Sequence, residues 1–360
     1  MLGTIVVGDG PRRYAVRRQE VPDVPPEHVL LRIRCANICG SDLKLWQKGS
    51  VPPGIGTGHE FVGEIIQLGE KVCVDSNGES VCVGDRVIAP YFETCGKCRA
   101  CISGAPENCE EAYAHRDVLW TSWPYFHCGF ASHYMLLPLQ HFYKVPPDIH
   151  DEIAASVNCA LSQVFGCLKK QLAIRKGETL LIQGCGGLGL YAIAIAHVLG
   201  AKVVAIDRGS RRLELAKRFG AALTVNMEEF PRLEDRVDII REFTSGEGVD
   251  KAMEVCGVPF AFEEGLHHLR VGGRYAIIGV NMLDQKADIT IGRIVRKSLT
   301  ILGVVRYDPQ VICDAMQFIQ QNREKYMFGE IGGECFALED INKAMEKMEK
   351  HQVIRARIIP

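Results

Sequence analysis

Four cysteines crowd into one short segment, Cys95–Cys109, which reads CGKCRACISGAPENC. Thiolates are soft, strong ligands for zinc, and four of them close a tetrahedron with no open position. Gly96 and Gly104 let the loop curl tightly around an ion. A closed site cannot activate water, so Cys95, Cys98, Cys101 and Cys109 are expected to hold a structural zinc. Four thiols clustered without a metal would be an oxidation hazard. The spacing alone leaves an iron–sulfur cluster open as the alternative.

A second set of metal-type residues is dispersed. Cys39 sits in Ile38-Cys39-Gly40-Ser41-Asp42, and His59 and Glu60 sit in Gly58-His59-Glu60-Phe61-Val62-Gly63. A Cys and a His on separate glycine-flanked loops suit one metal with a vacant position. Taken alone, a Cys is usually a small core residue and a His usually a satisfied polar group. A third signal is Gly184-Cys185-Gly186-Gly187-Leu188-Gly189. It follows the apolar run Thr179–Gln183 and opens a helical pattern, which is the strand–turn–helix setting a G-x-G-x-x-G loop requires. Its glycines permit close approach of a pyrophosphate to a helix N-terminus. Asp207 ends the next strand pattern, where a carboxylate accepts ribose hydroxyls and repels a 2′-phosphate. That favours NAD over NADP, while Arg208, Arg211 and Arg212 pull the other way. A glycine-rich turn in a non-binding α/β domain is the bland reading.

The elements that must hold these residues change character along the chain. The first third is rich in Gly, Pro and short β-type runs such as Val29–Cys35, Phe61–Leu68 and Arg86–Ala89, which predicts antiparallel sheet with long loops. From about Glu152 the pattern alternates. The periodicity predicts a helix over Ile153–Leu172, a strand over Thr179–Gln183, a helix over Leu188–Leu199 and a strand over Lys202–Asp207. A helix from Ser210 to Phe219 follows, with Ser210 as N-cap and Gly220 as its stop. Later strands are expected at Lys251–Val255, Arg274–Ile278 and Thr300–Val304. Such alternation argues for a parallel sheet covered on both faces. The tail, 309–360, shows two helical patterns and a strand over Ile354–Ile359.

Composition narrows the function. The chain has 360 residues, 47% of them apolar and 24% charged, so disorder and coiled coil are excluded as descriptions of the whole. A net charge of −2 gives no electrostatic reason to expect nucleic acid or an anionic membrane as partner. Fifteen cysteines is an odd number, so they cannot all pair within one chain. No long apolar stretch follows a basic N-terminus, and none approaches a membrane span. The expectation is a reduced, cytoplasmic protein whose cysteines are thiols or metal ligands.

Together the motifs CGSD at Cys39, GHEFVG at Gly58, GDRV at Gly84, the four-cysteine loop and GCGGLG at Gly184 resemble the zinc-containing medium-chain dehydrogenase/reductases. These include the alcohol, polyol and threonine dehydrogenases. The resemblance implies an α/β plus β architecture. A GroES-like antiparallel β catalytic domain (1–160) would be interrupted by a Rossmann domain with a doubly wound parallel sheet (161–303), and residues 304–360 would return to the first domain. It implies two zinc ions per chain. Cys39, His59 and Cys159 would ligate the catalytic one, with Glu60 close to it or replacing a ligand. Ser41 would pass on the substrate proton, with Asp42 structural. At the position three residues after Ser41, where many relatives have His, this chain has Lys44, which puts the outer relay in doubt. Cofactor contacts are implied at Gly184, Gly186, Gly187, Leu188, Gly189, Asp207, Arg208, Arg212, Val280 and Arg355.

The activity so implied is hydride transfer between NAD and a small alcohol, a polyol or secondary alcohol being favoured, in a homodimer or homotetramer joined near Thr300–Val305. An NADPH-dependent carbonyl reductase of the same fold is the first alternative. A non-catalytic binding protein that reuses the fold is the second. Trp46, Trp120 and Trp123, with the aromatic segment Leu119–His127, would line a substrate pocket or simply pack a core. His115 and Arg116, with Lys44, would suit an acidic or polyhydroxy substrate instead.

Overall fold

The computed structural model describes residues 1–113, 126–280 and 282–360. Trp120, Trp123, His115 and Arg116 lie outside them. The chain forms two compact units, Met1–Ser162 with Tyr307–Pro360, and Gln163–Arg306.

Among the described residues of the first unit, seven strands make one sheet. Its path runs Cys335–Ala337, Arg357–Ile359, Val29–Asn37, Glu60–Leu68, Arg86–Ile88, Tyr143–Lys144, with His133–Leu136 pairing beside Val29–Asn37. Val29–Asn37 alternates apolar and polar residues through its middle and is antiparallel to Glu60–Leu68, with Asn37 opposite Glu60. That register brings the ends of the two metal-type motifs together. The C-terminal strand pairs Arg357 with Asn37 and Ile358 with Ala36, so residues distant in sequence complete the sheet. Its regular part is only Arg357–Ile359, shorter than the pattern Ile354–Ile359 predicts. A core of Val6, Leu31, Ile33, Phe61, Ile65, Phe130 and Met345 fills this unit. Trp46 belongs to that core: its ring is buried and its indole N–H donates to Asn342 Oδ1 at 3.1 Å.

The helix expected over Ile153–Leu172 is broken. It comprises an α turn Asp151–Ala154, a π turn Val157–Leu161, an α segment Ser162–Gly166 and a second π turn Cys167–Gln171. Wide turns of this kind often mark functional sites. Apolar periodicity gives the helical face but cannot register an inserted residue.

The second unit is a six-stranded sheet with every pairing parallel. Its order is Ala221–Asn226, Lys202–Asp207, Thr179–Gln183, Val249–Glu254, Leu269–Ile277, Thr300–Gly303. Counted within the unit this is 3-2-1-4-5-6, the Rossmann arrangement. Strands Thr179–Gln183 and Lys202–Asp207 are buried almost throughout, as a sheet covered on both faces demands. The helix at Ser210–Arg218 takes Gly209 as its N-cap, so Ser210 is its first helical residue and not the cap. Gly220 does stop it, at φ +106°.

Candidate active site and cofactor loop

Each donor of the dispersed set is placed by a different local device. Cys39 caps the helix Gly40–Lys48 directly after strand Val29–Asn37. Asp42, in the first turn of that helix, accepts the Cys39 backbone N–H at 2.9 Å through Oδ2. Its Oδ1 faces His59 Nδ1 at 3.2 Å. With Nδ1–H donated to Asp42, the imidazole presents Nε2 as the free ligand atom, the arrangement of a carboxylate–histidine–metal triad. Gly58 precedes His59 with φ +90°, and a Cβ there would stand 2.5 Å from the Phe130 ring, so the turn that presents His59 needs glycine. The π turn Val157–Leu161 carries Cys159. Neighbouring Asn158 locks that turn: its side-chain amide donates to His59 O at 2.9 Å and to Ala89 O at 2.8 Å, while its backbone carbonyl accepts the Tyr307 hydroxyl.

One ligand atom from each of Cys39, His59, Glu60 and Cys159 lies within 4.8 Å of every other. Cys39, Glu60 and Cys159 are buried. Burial and mutual contact shift all four groups. The Cys159 hydrogen bond holds the Cys39 thiol well below its usual range, with the nearby His59 adding to the effect against burial. The same Cys39 contact, together with burial, pushes Cys159 up. Burial alone would lower His59, but the Asp42 carboxylate and Cys39 outweigh it and raise it. Glu60 is pushed up to about 8 by burial, against the opposing Arg355 guanidinium. Two sulfurs and an imidazole in one buried cluster are the soft-plus-borderline donor set that zinc takes at sites with an open position. Arg355, expected at the cofactor, pairs its Nη2 with Glu60 Oε1, and Nη1 has no hydrogen-bond partner among the described residues. Ser41 is partly exposed one residue into the helix capped by Cys39.

The sequence did not point to the aromatic wall. Tyr91 meets His59 edge-on at 5.3 Å, and Tyr307 packs edge-on against Phe92 at 5.2 Å. Nothing in spacing marks these residues. Asn158 had one available signal, its adjacency to Cys159.

The four-cysteine loop needs less help. The donor atoms of Cys95, Cys98, Cys101 and Cys109 all lie within 4.8 Å of one another. Cys98 Sγ and Cys109 Sγ are 4.0 Å apart. A tetrahedron with zinc–sulfur bonds of about 2.3 Å has edges of about 3.8 Å, so the cluster fits that ion. Backbone N–H groups of Cys98 and Cys95 point at Cys95 Sγ and Cys109 Sγ, each at 3.3 Å. Cys98 is held down to about 6, first by the Cys101 backbone N–H and then by that of Glu110. All fifteen cysteines are thiols in the structure.

In the second unit the glycine loop joins strand Thr179–Gln183 to helix Gly187–Val198. A Cβ on Gly189 would sit 1.8 Å from Gly184 O, so strand and helix cross too closely for any side chain. A Cβ on Gly186, the N-cap, would meet nothing within 4 Å, which leaves open space before the helix N-terminus. Leu188 is half-buried in the first turn. These features fit a dinucleotide pyrophosphate. Asp207 is buried, and its carboxylate accepts N–H groups from Cys185 at 2.6 Å, Arg208 at 2.7 Å and Gly209 at 3.0 Å. Arg212 stands 3.9 Å from it, and the Arg208 side chain is exposed. Val280 follows strand Leu269–Ile277 and donates its N–H to Glu254 at 3.0 Å.

Two domain profiles match the chain: the alcohol dehydrogenase GroES-like domain over residues 25–147, and the zinc-binding dehydrogenase domain over residues 187–321. An L-threonine 3-dehydrogenase from Paraburkholderia phymatum is 30% identical over 340 residues, covering 92% of this chain and 91% of the relative. One from Bacillus subtilis is 31% identical over 360 residues, covering 98% and 96%. The crystal structure of an alcohol dehydrogenase from Thermotoga maritima superposes with a TM-score of 0.89 at 27% identity, covering all of both chains. The chain belongs to the zinc-containing medium-chain dehydrogenase family. It is an enzyme of the alcohol dehydrogenase type, an oxidoreductase.

Proposed function

We propose that the protein oxidises a secondary alcohol with NAD, polyols and 3-hydroxy amino acids being the substrate classes to try first, and that it carries two zinc ions. The observation that carries this reading is the convergence of Cys39, His59, Cys159 and Glu60 beside an aromatic wall. Zinc bound there would act as a Lewis acid that lowers the pKa of a hydroxyl offered to it. Cys39, His59 and Cys159 are the proposed ligands, with Glu60 held back by Arg355. Asp42 keeps the His59 tautomer fixed. The Ser41 hydroxyl is the proposed first acceptor of the substrate proton. Gly184, Gly186, Gly187, Leu188 and Gly189 would cradle the pyrophosphate, and Asp207 would receive the adenosine ribose.

The second reading is NADPH-dependent carbonyl reduction. It is favoured by Arg208 and Arg211, both exposed where strand Lys202–Asp207 passes into the next helix. A cytoplasmic homodimer or homotetramer is part of the proposal, the outer edge strand Thr300–Gly303 being the joining surface. No helix among the described residues is long and apolar enough to cross a membrane.

The test is a panel of secondary alcohols, polyols and hydroxy amino acids with zinc-loaded enzyme, read as nicotinamide absorbance with each cofactor. The expected kcat/KM is at least about tenfold higher with NAD than with NADP, which corresponds to roughly 1.4 kcal/mol. Asp207→Gly should narrow that gap. Equal efficiency with both cofactors would show that the arginines dominate.

A further inference from the structure

We propose that Glu254 is a positioning residue that fixes the two loops receiving the nicotinamide half of the dinucleotide; this rests on the cofactor reading above. Glu254 ends strand Val249–Glu254 and is fully buried. Its register partner across the parallel pairing is Gln183, the last residue before the glycine loop. Val255 N–H donates to Gln183 O at 3.0 Å, so Glu254 stands where the strand order reverses. In open α/β sheets that reversal is where the ligand lies, one mononucleotide half on each side. The glycine loop and Asp207 occupy one side. The loops after Val249–Glu254 and after Leu269–Ile277 occupy the other.

Glu254 ties those two loops to each other. One carboxylate oxygen accepts the Gly257 N–H, and the other accepts the N–H groups of Gly279 and Val280, both at 3.0 Å. Its backbone carbonyl accepts Ile278 N–H at 3.0 Å. A Cβ on Gly279 would lie 2.4 Å from Gly257 N and 2.7 Å from Glu254 Oε1, so the loops touch with no side chain between them. Gln285 adds a second stitch, donating to Gly257 O at 3.0 Å and accepting Met282 N–H at 3.2 Å. A buried carboxylate is costly to desolvate. Three backbone donors from two loops offset that cost only while the loops keep this spacing. Glu254→Gln retains the size but turns an NH2 group toward N–H donors, leaving buried donors unpaired.

The inference predicts a split between the two halves of the cofactor. Glu254→Gln should weaken NADH, read by nicotinamide fluorescence, by about tenfold or more while AMP affinity stays within about twofold. NAD KM should rise more than kcat falls. Gln285→Ala, on a partly exposed side chain, should move NADH in the same direction by about threefold and serves if Glu254→Gln does not fold. Unmodified enzyme that fails to bind NADH would overturn the cofactor reading and this inference with it. Unmodified enzyme that binds NADH, with variants that weaken AMP and NADH equally or weaken neither, would overturn the inference alone.

Discussion

The two cysteine-containing donor sets differ in how far apart their parts lie. Cys95, Cys98, Cys101 and Cys109 occupy one short segment, the first three partly exposed and Cys109 buried, and N–H groups of the segment itself reach the sulfurs of Cys95 and Cys109. Cys39, His59, Glu60 and Cys159 come from a helix cap, a glycine turn, a strand start and a π turn. Buried polar groups surround them: Asp42 and Asn158 beside the donors in sequence, and Arg355 from the far end of the chain. A contiguous set can gather its metal as the loop closes. A dispersed set exists only after the sheet has formed, and its neighbours tune it. The first set should therefore govern stability and the second activity.

The largest expected effects test that division directly. Cys39→Ser should lose one zinc equivalent and lower kcat/KM by about a thousandfold or more, because a Lewis acid contributes several kcal/mol to the transition state. Its melting midpoint should move little. Cys98→Ser should also lose one zinc, but with a midpoint drop of about 10 °C, since structural zinc binding contributes folding free energy. Elemental analysis and calorimetry on both variants check this. Two variants with the same mixed loss of activity and stability would erase the distinction.

A smaller effect sharpens the role of the surroundings. Asp42→Asn removes no proposed ligand but leaves one acceptor oxygen where two hold His59 Nδ1–H and the Cys39 backbone N–H. Catalytic zinc affinity should fall by about 10–100-fold, measured by competition with a chelator, and the four-cysteine zinc should be retained. Release of both ions together would mean that the two sites are not independent.

The smallest effect concerns a network with no metal in it. Arg236, Glu264 and His268 are buried in the second unit, with Arg236 Nε 2.6 Å from Glu264. Burial pulls His268 below its ordinary 6.5, against the opposing Glu264. Burial would raise Glu264, but His268 and Arg236 hold it below its ordinary 4.5. Both groups are lowered on folding, so both contribute stability at neutral pH. The His268 share is lost as pH falls from about 6.5, and the Glu264 share as pH falls below about 4.5. The melting midpoint should decline modestly between pH 7 and pH 5, and His268→Gln should flatten that decline. An unchanged slope in this variant would place the acid sensitivity outside this network, where burial also lowers His133, His141 and His267.

How much of this was legible depends on sequence separation. Strands Thr179–Gln183 and Lys202–Asp207 appear where the apolar runs place them, because a doubly covered strand advertises itself as a continuous apolar run. The edge strand Cys335–Ala337 was not visible, having only one buried residue of three. The long helix over Ile153–Leu172 was wrong in detail, since its first π turn is held by a distant partner, the Tyr307 hydroxyl on Asn158 O.

By itself the sequence determined the four-cysteine donor set, the glycine loop and the alternation that makes a parallel sheet. Each is a matter of neighbours: ligand spacing, turn chemistry and strand–helix period act over a few residues. Only the tertiary structure decided that Cys159 joins Cys39, His59 and Glu60, that Arg355 faces Glu60, and that Glu254 ties two loops. These are side-chain contacts reaching up to 295 residues along the chain. They depend on sheet register and on one extra residue in a helical turn. A one-residue change in either would turn the side chain to another face, and no local pattern records that choice.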